Sequence, residues 1–140
     1  MKTITRFAVS LAAMAAGAAL PAVVSAQSAE EITVTGAYGS TNDRQTLSQA
    51  ISYSDLDLST KAGKDELRHR VNLTARYLCE KMGESDTSNP VVPSCREAAV
   101  RDAMARVGTV EATFAPRGTT WTAPTAWVPP YPADWGTRYP

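Results

Sequence analysis

The two cysteines of this 140-residue chain, Cys79 and Cys95, are the residues whose type and spacing most clearly indicate chemistry, and the chain contains no others. An even number of cysteines favours a disulfide if the chain is exported, which its N-terminal residues, described below, indicate. A disulfide that closes a loop of this size, between Cys79 and Cys95, stabilises a fold by about 3 kcal/mol. The alternative is a thiol/disulfide-responsive switch, in which a free Cys95 at a helix N-terminus is unusually reactive. Structural zinc sites use four ligands, more than two cysteines and the single histidine, His69, supply. We therefore expect a Cys79–Cys95 disulfide and no metal or cofactor.

Two alternating carboxylates, Asp55 and Asp57, share a side if their segment is extended. Paired carboxylates can perform acid–base chemistry. They also precede a predicted helix, where turn formation and the positive end of the helix dipole explain them. His69 stands four residues from Asp65, a spacing suited to an ion pair, and no Gly-x-Ser-x-Gly motif accompanies it. We predict that the protein is not an enzyme and has no catalytic residues.

The N-terminus has the three-part pattern of a secretory signal peptide. Two basic residues precede an uncharged apolar run over residues 7–20, and small residues lead to a cleavage site between Ala26 and Gln27. The run is shorter than the roughly 20 residues that span a bilayer. We therefore predict a signal peptide over residues 1–26, export to the periplasm, and no membrane span after cleavage.

The charge balance argues against a general nucleic-acid binder. The whole chain has 14 basic and 14 acidic residues, and removal of Lys2 and Arg6 with the signal peptide leaves 12 against 14. Nucleic-acid-binding domains are usually strongly basic. Lys61, Lys64 and Arg68 form a basic edge at helical spacing, which we interpret as the solvated face of an amphipathic helix. No nucleic-acid partner is expected.

The strand signals lie mainly before residue 54. Residues 31–36 alternate apolar and β-branched types and predict a strand that stops at Gly36. Residues 46–53 predict a second strand, and the turn-rich loop between the two indicates an antiparallel pair. A third strand is possible over residues 109–114.

The first predicted helix follows the strands. Ser59 or Thr60 can cap its N-terminus, and Gly83 is a natural C-terminal stop. Gly63 lies inside the helix at a cost of up to about 1 kcal/mol, unless it admits the close approach of another backbone. One apolar stripe follows at steps of three or four, comprising Leu67, Val71, Ala75, Leu78 and Met82.

The second predicted helix opens with a capping box, because Glu97 follows Ser94 by three residues. We expect this helix to end at Gly108. Cys79 closes the first helix and Cys95 opens the second, so their disulfide would close a helical hairpin.

The last 25 residues form a tail of different composition, with six prolines and all three tryptophans. Proline at this density disfavours regular helix and sheet. The tail could dock an envelope protein or stack on glycan rings, wrap its own domain, or remain disordered. The candidate interaction residues are Trp121, Trp127, Tyr131, Trp135 and Tyr139.

The combined pattern predicts an α+β fold. Two or three short antiparallel strands pack on a disulfide-closed two-helix hairpin in a small domain over residues 27–115. An irregular Pro/Trp-rich tail follows over residues 116–140.

A distinctive set of residues runs from Ile51 through the first predicted helix to the start of the second. Its members are Ile51, Ser52, Tyr53, Asp55, Leu56, Asp57, Leu58, Gly63, Leu67, Arg70, Val71, Ala75, Cys79, Cys95 and Arg96. This set resembles the UrcA family of small exported proteins of Gram-negative bacteria, in which valine is commoner than isoleucine at the position of Ile51. The resemblance covers roughly residues 49–107 and excludes the tail. The resemblance implies a periplasmic protein linked to envelope or stress responses, with no enzymatic activity. Our leading hypothesis is therefore non-enzymatic binding, and a redox-responsive cysteine pair is the alternative.

Overall fold

The computed structural model describes residues 30–85 and 94–140, so the predicted cleavage site at Ala26 and Gln27 lies outside the described residues. Two strands are followed by two long helices and by a single helical turn, which confirms the α+β prediction. The bounds are β1 Glu31–Tyr38, β2 Gln45–Ser52, α1 Lys61–Lys81, α2 Cys95–Thr113 and α3 Trp135–Arg138.

The two strands pair antiparallel, with Ile32 opposite Ile51 next to the terminal pair Glu31–Ser52. The prediction that Gly36 stops β1 is wrong, because the strand continues to Tyr38. A Cβ atom at Gly36 would lie 3.2 Å from Cys79 Sγ and 3.3 Å from Cys95 Sγ. The missing side chain therefore lets the strand pass directly against the sulfur atoms.

Helix α1 begins and ends where its capping residues place it. The Thr60 hydroxyl accepts a hydrogen bond from the backbone N–H of Gly63 at 3.0 Å. At the C-terminus, Gly83 has a positive φ of 99°, and its N–H donates to the Glu80 carbonyl. The N–H of Glu84 donates to the Cys79 carbonyl, which completes a Schellman motif.

Helix α2 opens with the predicted capping box between Ser94 and Glu97. The predicted stop at Gly108 and the third strand over residues 109–114 are both wrong, because α2 continues to Thr113. Val107 is buried in the core, and Arg68 Nη2 donates to Glu111 Oε2 at 2.7 Å, which holds this turn to α1. Packing against α1 thus outweighs the strand preference of a Thr- and Val-rich segment.

The core lies between the inner face of the sheet and the two long helices. The apolar stripe of α1 is buried as predicted, together with alternate strand residues and one face of α2. The most deeply buried residues of the core include Ile32, Val34, Ile51, Leu58, Leu67, Val71, Ala75, Ala103 and Val107. Among the described residues, no helix combines the length and apolar character needed to cross a membrane.

Candidate functional site

The C-terminal tail packs along helix α1. Trp135 is only 6% exposed, and its indole Nε1–H donates to the backbone carbonyl of Leu73 at 3.3 Å. A Cβ atom on Gly136 would lie 3.6 Å from Leu73 Cδ1, so the chain passes close to the helix here. The small apolar patch that Leu73 and Tyr77 form on α1 is therefore the surface that receives the tail.

Aromatic rings hold the tail in place through edge-to-face contacts. Trp127, Tyr131, Tyr77, Trp135 and Tyr139 contact one another in that order, and we call them the aromatic row. Successive ring centroids are 6.1, 6.3, 5.5 and 4.9 Å apart. Such T-shaped pairs are favourable beyond the area they bury. Burial raises the pKa of the Tyr131 hydroxyl, as expected for a ring covered by its neighbours.

Arginine side chains from α1 contact the faces of two rings in the aromatic row. Arg70 Cζ lies 5.2 Å from the centroid of Trp127, and Arg76 Cζ lies 3.8 Å from the centroid of Tyr139. Both distances are in the range of cation–π attraction.

The start of the tail is held by Arg117. Its Nε donates to the Leu56 carbonyl at 2.8 Å, and its Nη2 lies 2.9 Å from Glu30 Oε2. The same guanidinium stacks 4.6 Å from the centroid of Trp121. Of the five predicted interaction residues, four therefore join the aromatic row and Trp121 packs separately on Arg117. Wrapping of the domain is the arrangement that the described tail adopts.

The predicted acid–base candidate Asp55 is half of a buried ion pair. Arg70 Nη1 and Nη2 donate to its two carboxylate oxygens at 2.8 and 2.7 Å. The hydrogen bonds from Arg70 hold the pKa of Asp55 below its ordinary value, and the backbone amide of Trp127 contributes to the lowering. A carboxylate kept ionised and occupied in this way is poorly suited to proton transfer.

Asp57 and His69 also have structural surroundings. Asp57 Oδ1 accepts from the Ser59 hydroxyl at 2.6 Å and from the Ser59 N–H at 3.0 Å, and these bonds lower the pKa of Asp57. Asp65 pairs with Lys61 rather than with His69. His69 instead lies beside Gly136 of the tail. The structure thus gives the three candidate catalytic residues separate surroundings.

The cysteine pair forms a disulfide, with Cα atoms 5.8 Å apart. Cys79 is fully buried and Cys95 is 5% exposed, because Gly36 of β1 covers the sulfur atoms. Glu84 lies close enough to complete a three-residue cluster of metal-ligand type. Its two oxygens accept from the backbone N–H groups of Cys95 at 2.8 Å and Arg96 at 3.2 Å. In the structure, the two sulfur atoms form the disulfide that closes the hairpin, and the Glu84 carboxylate caps the N-terminus of α2.

A cleft of about 460 Å³ lies between α1, the first turn of α2 and the tail. His69 and Arg76 line it from α1, Arg96 from α2, and Arg138 and Tyr139 from the tail. This cleft has no local signal in the sequence, because its lining residues are distant along the chain. The density of aromatic residues in the tail, with Arg138 among them, was the available signal.

Comparisons of the chain with protein-family models, with curated proteins and with solved structures found no match.

Proposed function

We propose that this chain is a non-enzymatic, exported binding protein of the UrcA type, acting in the periplasm in an envelope or stress context. The observation that carries the proposal is the docking of Trp135 on the Leu73 carbonyl. This contact combines α1 and the tail into one surface that neither could form alone. A rigid composite surface with aromatic and arginine side chains is typical of binding sites.

The surroundings of the acidic candidates support a non-enzymatic role. Asp55 is bound at both oxygens by Arg70, and Asp57 accepts two hydrogen bonds from Ser59. The residues that carry the UrcA resemblance have structural roles of the same kind. Leu67, Val71 and Ala75 are buried in the core, and the cysteines close the hairpin. The shared segment thus supports a scaffold, and the binding surface lies where the tail meets it.

Cell fractionation and photo-crosslinking test the proposal. We expect the protein in the periplasmic fraction with Gln27 at its N-terminus, and crosslinked species that form from a photoreactive residue at position 128. Val128 is 81% exposed, so replacing it does not disturb the packed tail. Those species should be lost in Trp135→Ala and retained in Arg101→Gln, a change at an exposed position of α2. Crosslinks that are unaffected by Trp135→Ala, or a cytoplasmic location, would count against the proposal.

A further inference from the structure

The basic cleft between α1, α2 and the tail is large enough for a small organic ligand. Its volume of about 460 Å³ falls in the usual range for small-molecule sites. Three of its lining side chains are guanidinium groups, from Arg76, Arg96 and Arg138, and Pro140, the last residue of the chain, also lines it. Among the described residues, no acidic side chain lines the cleft. The described side chains that line the cleft therefore carry net positive charge.

The arginines of the cleft also contact groups of the protein itself. Glu80 Oε1 lies 3.4 Å from Arg76 Nη1, and Asp134 pairs with Arg138. Neither of these carboxylates lines the cleft. A bound anion would therefore share the guanidinium groups of Arg76 and Arg138 with these two carboxylates.

Packing restrains the cations before any ligand arrives. The Arg76 guanidinium lies 3.8 Å from the centroid of Tyr139, and Arg138 lies 5.3 Å from the centroid of Trp135. Arg96 follows Cys95 in the first turn of α2, where the disulfide and the Glu84 cap hold the backbone. The side chains of Arg76 and Arg138, restrained by these ring contacts, therefore lose less conformational entropy on binding.

Guanidinium groups from three separate elements match a ligand group with several oxygens in a tetrahedral arrangement. Arginine binds phosphate through paired N–H donors, and a carboxylate offers only two oxygens to three such groups. The cavity is larger than a phosphate group, and Tyr139 supplies an aromatic wall beside it. We propose that the cleft binds the phosphate group of an organic phosphate ester. This inference rests on the proposed binding function and names the chemistry of its ligand.

Calorimetry at low salt tests the inference with the purified protein and three probes: glycerol phosphate, inorganic phosphate and acetate. We expect saturable one-to-one binding of glycerol phosphate, weaker binding of inorganic phosphate and no measurable binding of acetate. Arg96→Gln and Arg138→Gln should each weaken glycerol phosphate binding by about tenfold, since each removes charge-assisted hydrogen bonds. The matched control is Arg101→Gln, which removes an arginine of α2 outside the cleft and should leave affinity within about twofold.

Vesicle sedimentation distinguishes a soluble ester from a lipid headgroup. Vesicles of phosphatidylcholine with and without phosphatidylglycerol are the probes, and Arg96→Gln and Arg101→Gln are the variants. Selective loss of phosphatidylglycerol binding in Arg96→Gln identifies a headgroup ligand, and binding of glycerol phosphate alone identifies a soluble one. Either result supports the phosphate chemistry.

Three outcomes overturn the inference: no saturable binding of either phosphate source, equal loss in Arg96→Gln and Arg101→Gln, or acetate binding as tight as glycerol phosphate. If neither phosphate source binds, the proposed binding function still stands when crosslinks from position 128 form in the otherwise wild-type protein and are lost in Trp135→Ala. Loss of both the phosphate binding and the crosslinks removes the two proposals together. Circular dichroism and thermal melting of each variant confirm that a lost affinity does not reflect a lost fold.

Discussion

The guanidinium group of Arg70 meets the carboxylate of Asp55 end to end, with N–O distances of 2.8 and 2.7 Å, and both side chains are about 8% exposed. Arg70 also donates to the Ser52 carbonyl and to Glu66, and Trp127 covers its guanidinium. One side chain therefore joins the end of β2, the turn before α1, the helix itself and the tail.

Loss of Arg70 should destabilise the fold strongly. In Arg70→Met the Asp55 carboxylate stays buried without its partner, which costs about 3–5 kcal/mol of unfolding free energy. Replacing both partners, as in Asp55→Leu with Arg70→Met, should recover much of this loss, since no buried charge remains. Urea unfolding measures both effects. The control is Lys61→Met, which breaks an exposed pair and should cost less than about 1 kcal/mol.

The same pair predicts an acid-dependent loss of stability. Hydrogen bonds from Arg70 lower the pKa of Asp55 in the folded state, so the folded protein holds this proton less tightly than the unfolded chain. The stabilisation is complete above the unfolded pKa of about 3.9 and disappears as the pH falls through the lower folded value. Between about pH 5 and pH 2, wild type should lose more stability than Asp55→Asn. Parallel pH curves for the two proteins would contradict this assignment.

Gly63 and Gly108 should respond in opposite directions to alanine. A Cβ atom at Gly63 would lie 2.1 Å from the Asp57 carbonyl oxygen, whereas a Cβ atom at Gly108 meets no atom of the described residues within 4 Å. We expect Gly63→Ala to lower the unfolding free energy by about 1–3 kcal/mol through this clash. Gly108→Ala should raise it by about 0.5–1 kcal/mol, since alanine is the better helix former. If Gly63→Ala stabilised the fold instead, the turn before α1 would have to shift away from the added methyl group at little cost in free energy.

The disulfide should act as a structural crosslink. Cys79→Ser with Cys95→Ser should lower the unfolding free energy by about 3 kcal/mol in the chain-entropy description. Because Gly36 covers the sulfur atoms, we expect the cysteines of the folded protein to resist mild reductant and to label only after unfolding. Mass spectrometry after thiol labelling in cells measures this. Rapid, reversible labelling of folded protein under reducing stress would instead favour the redox-responsive alternative.

Trp135 should control the docking of the tail. Trp135→Ala removes a buried indole and should lower the unfolding free energy by about 3 kcal/mol, with loss of the near-ultraviolet dichroism of the aromatic row. Trp135→Phe keeps most of the apolar area and loses the hydrogen bond to Leu73, so it should cost about 1 kcal/mol. An intact aromatic signal in Trp135→Ala would mean that other contacts suffice to dock the tail.

The folded protein should be more stable with valine at position 74 than with Thr74. The Thr74 side chain is fully buried, and its hydroxyl has no hydrogen-bond partner among the described residues. Thr74→Val keeps the shape and removes the unsatisfied group, so we expect a gain of about 1 kcal/mol by thermal or urea unfolding. In the control Thr113→Val, an exposed hydroxyl that donates to the Thr109 carbonyl is lost, and stability should change little. A destabilised Thr74→Val would indicate that the hydroxyl is satisfied in solution.

The elements that were predicted correctly are those that short stretches of chain determine. Thr60 caps α1, Gly83 ends it, and Ser94 with Glu97 opens α2, because each capping interaction joins residues at most five positions apart. The disulfide followed from the even number of cysteines and the expected export. The strand over residues 109–114 was predicted wrongly because β-branched residues there favour a strand locally, while Val107 and Glu111 bind this segment to the helical core.

The sequence by itself determined the mixed α+β class, the capped helices and the cysteine pair, since their signals are local or compositional. Only the tertiary structure decided that Asp55 belongs to Arg70 and that Trp135 docks on Leu73. The same holds for the basic cleft, where α1, α2 and the tail meet. Partners 15 and 62 positions apart are brought together by burial and chain closure, which no local pattern encodes.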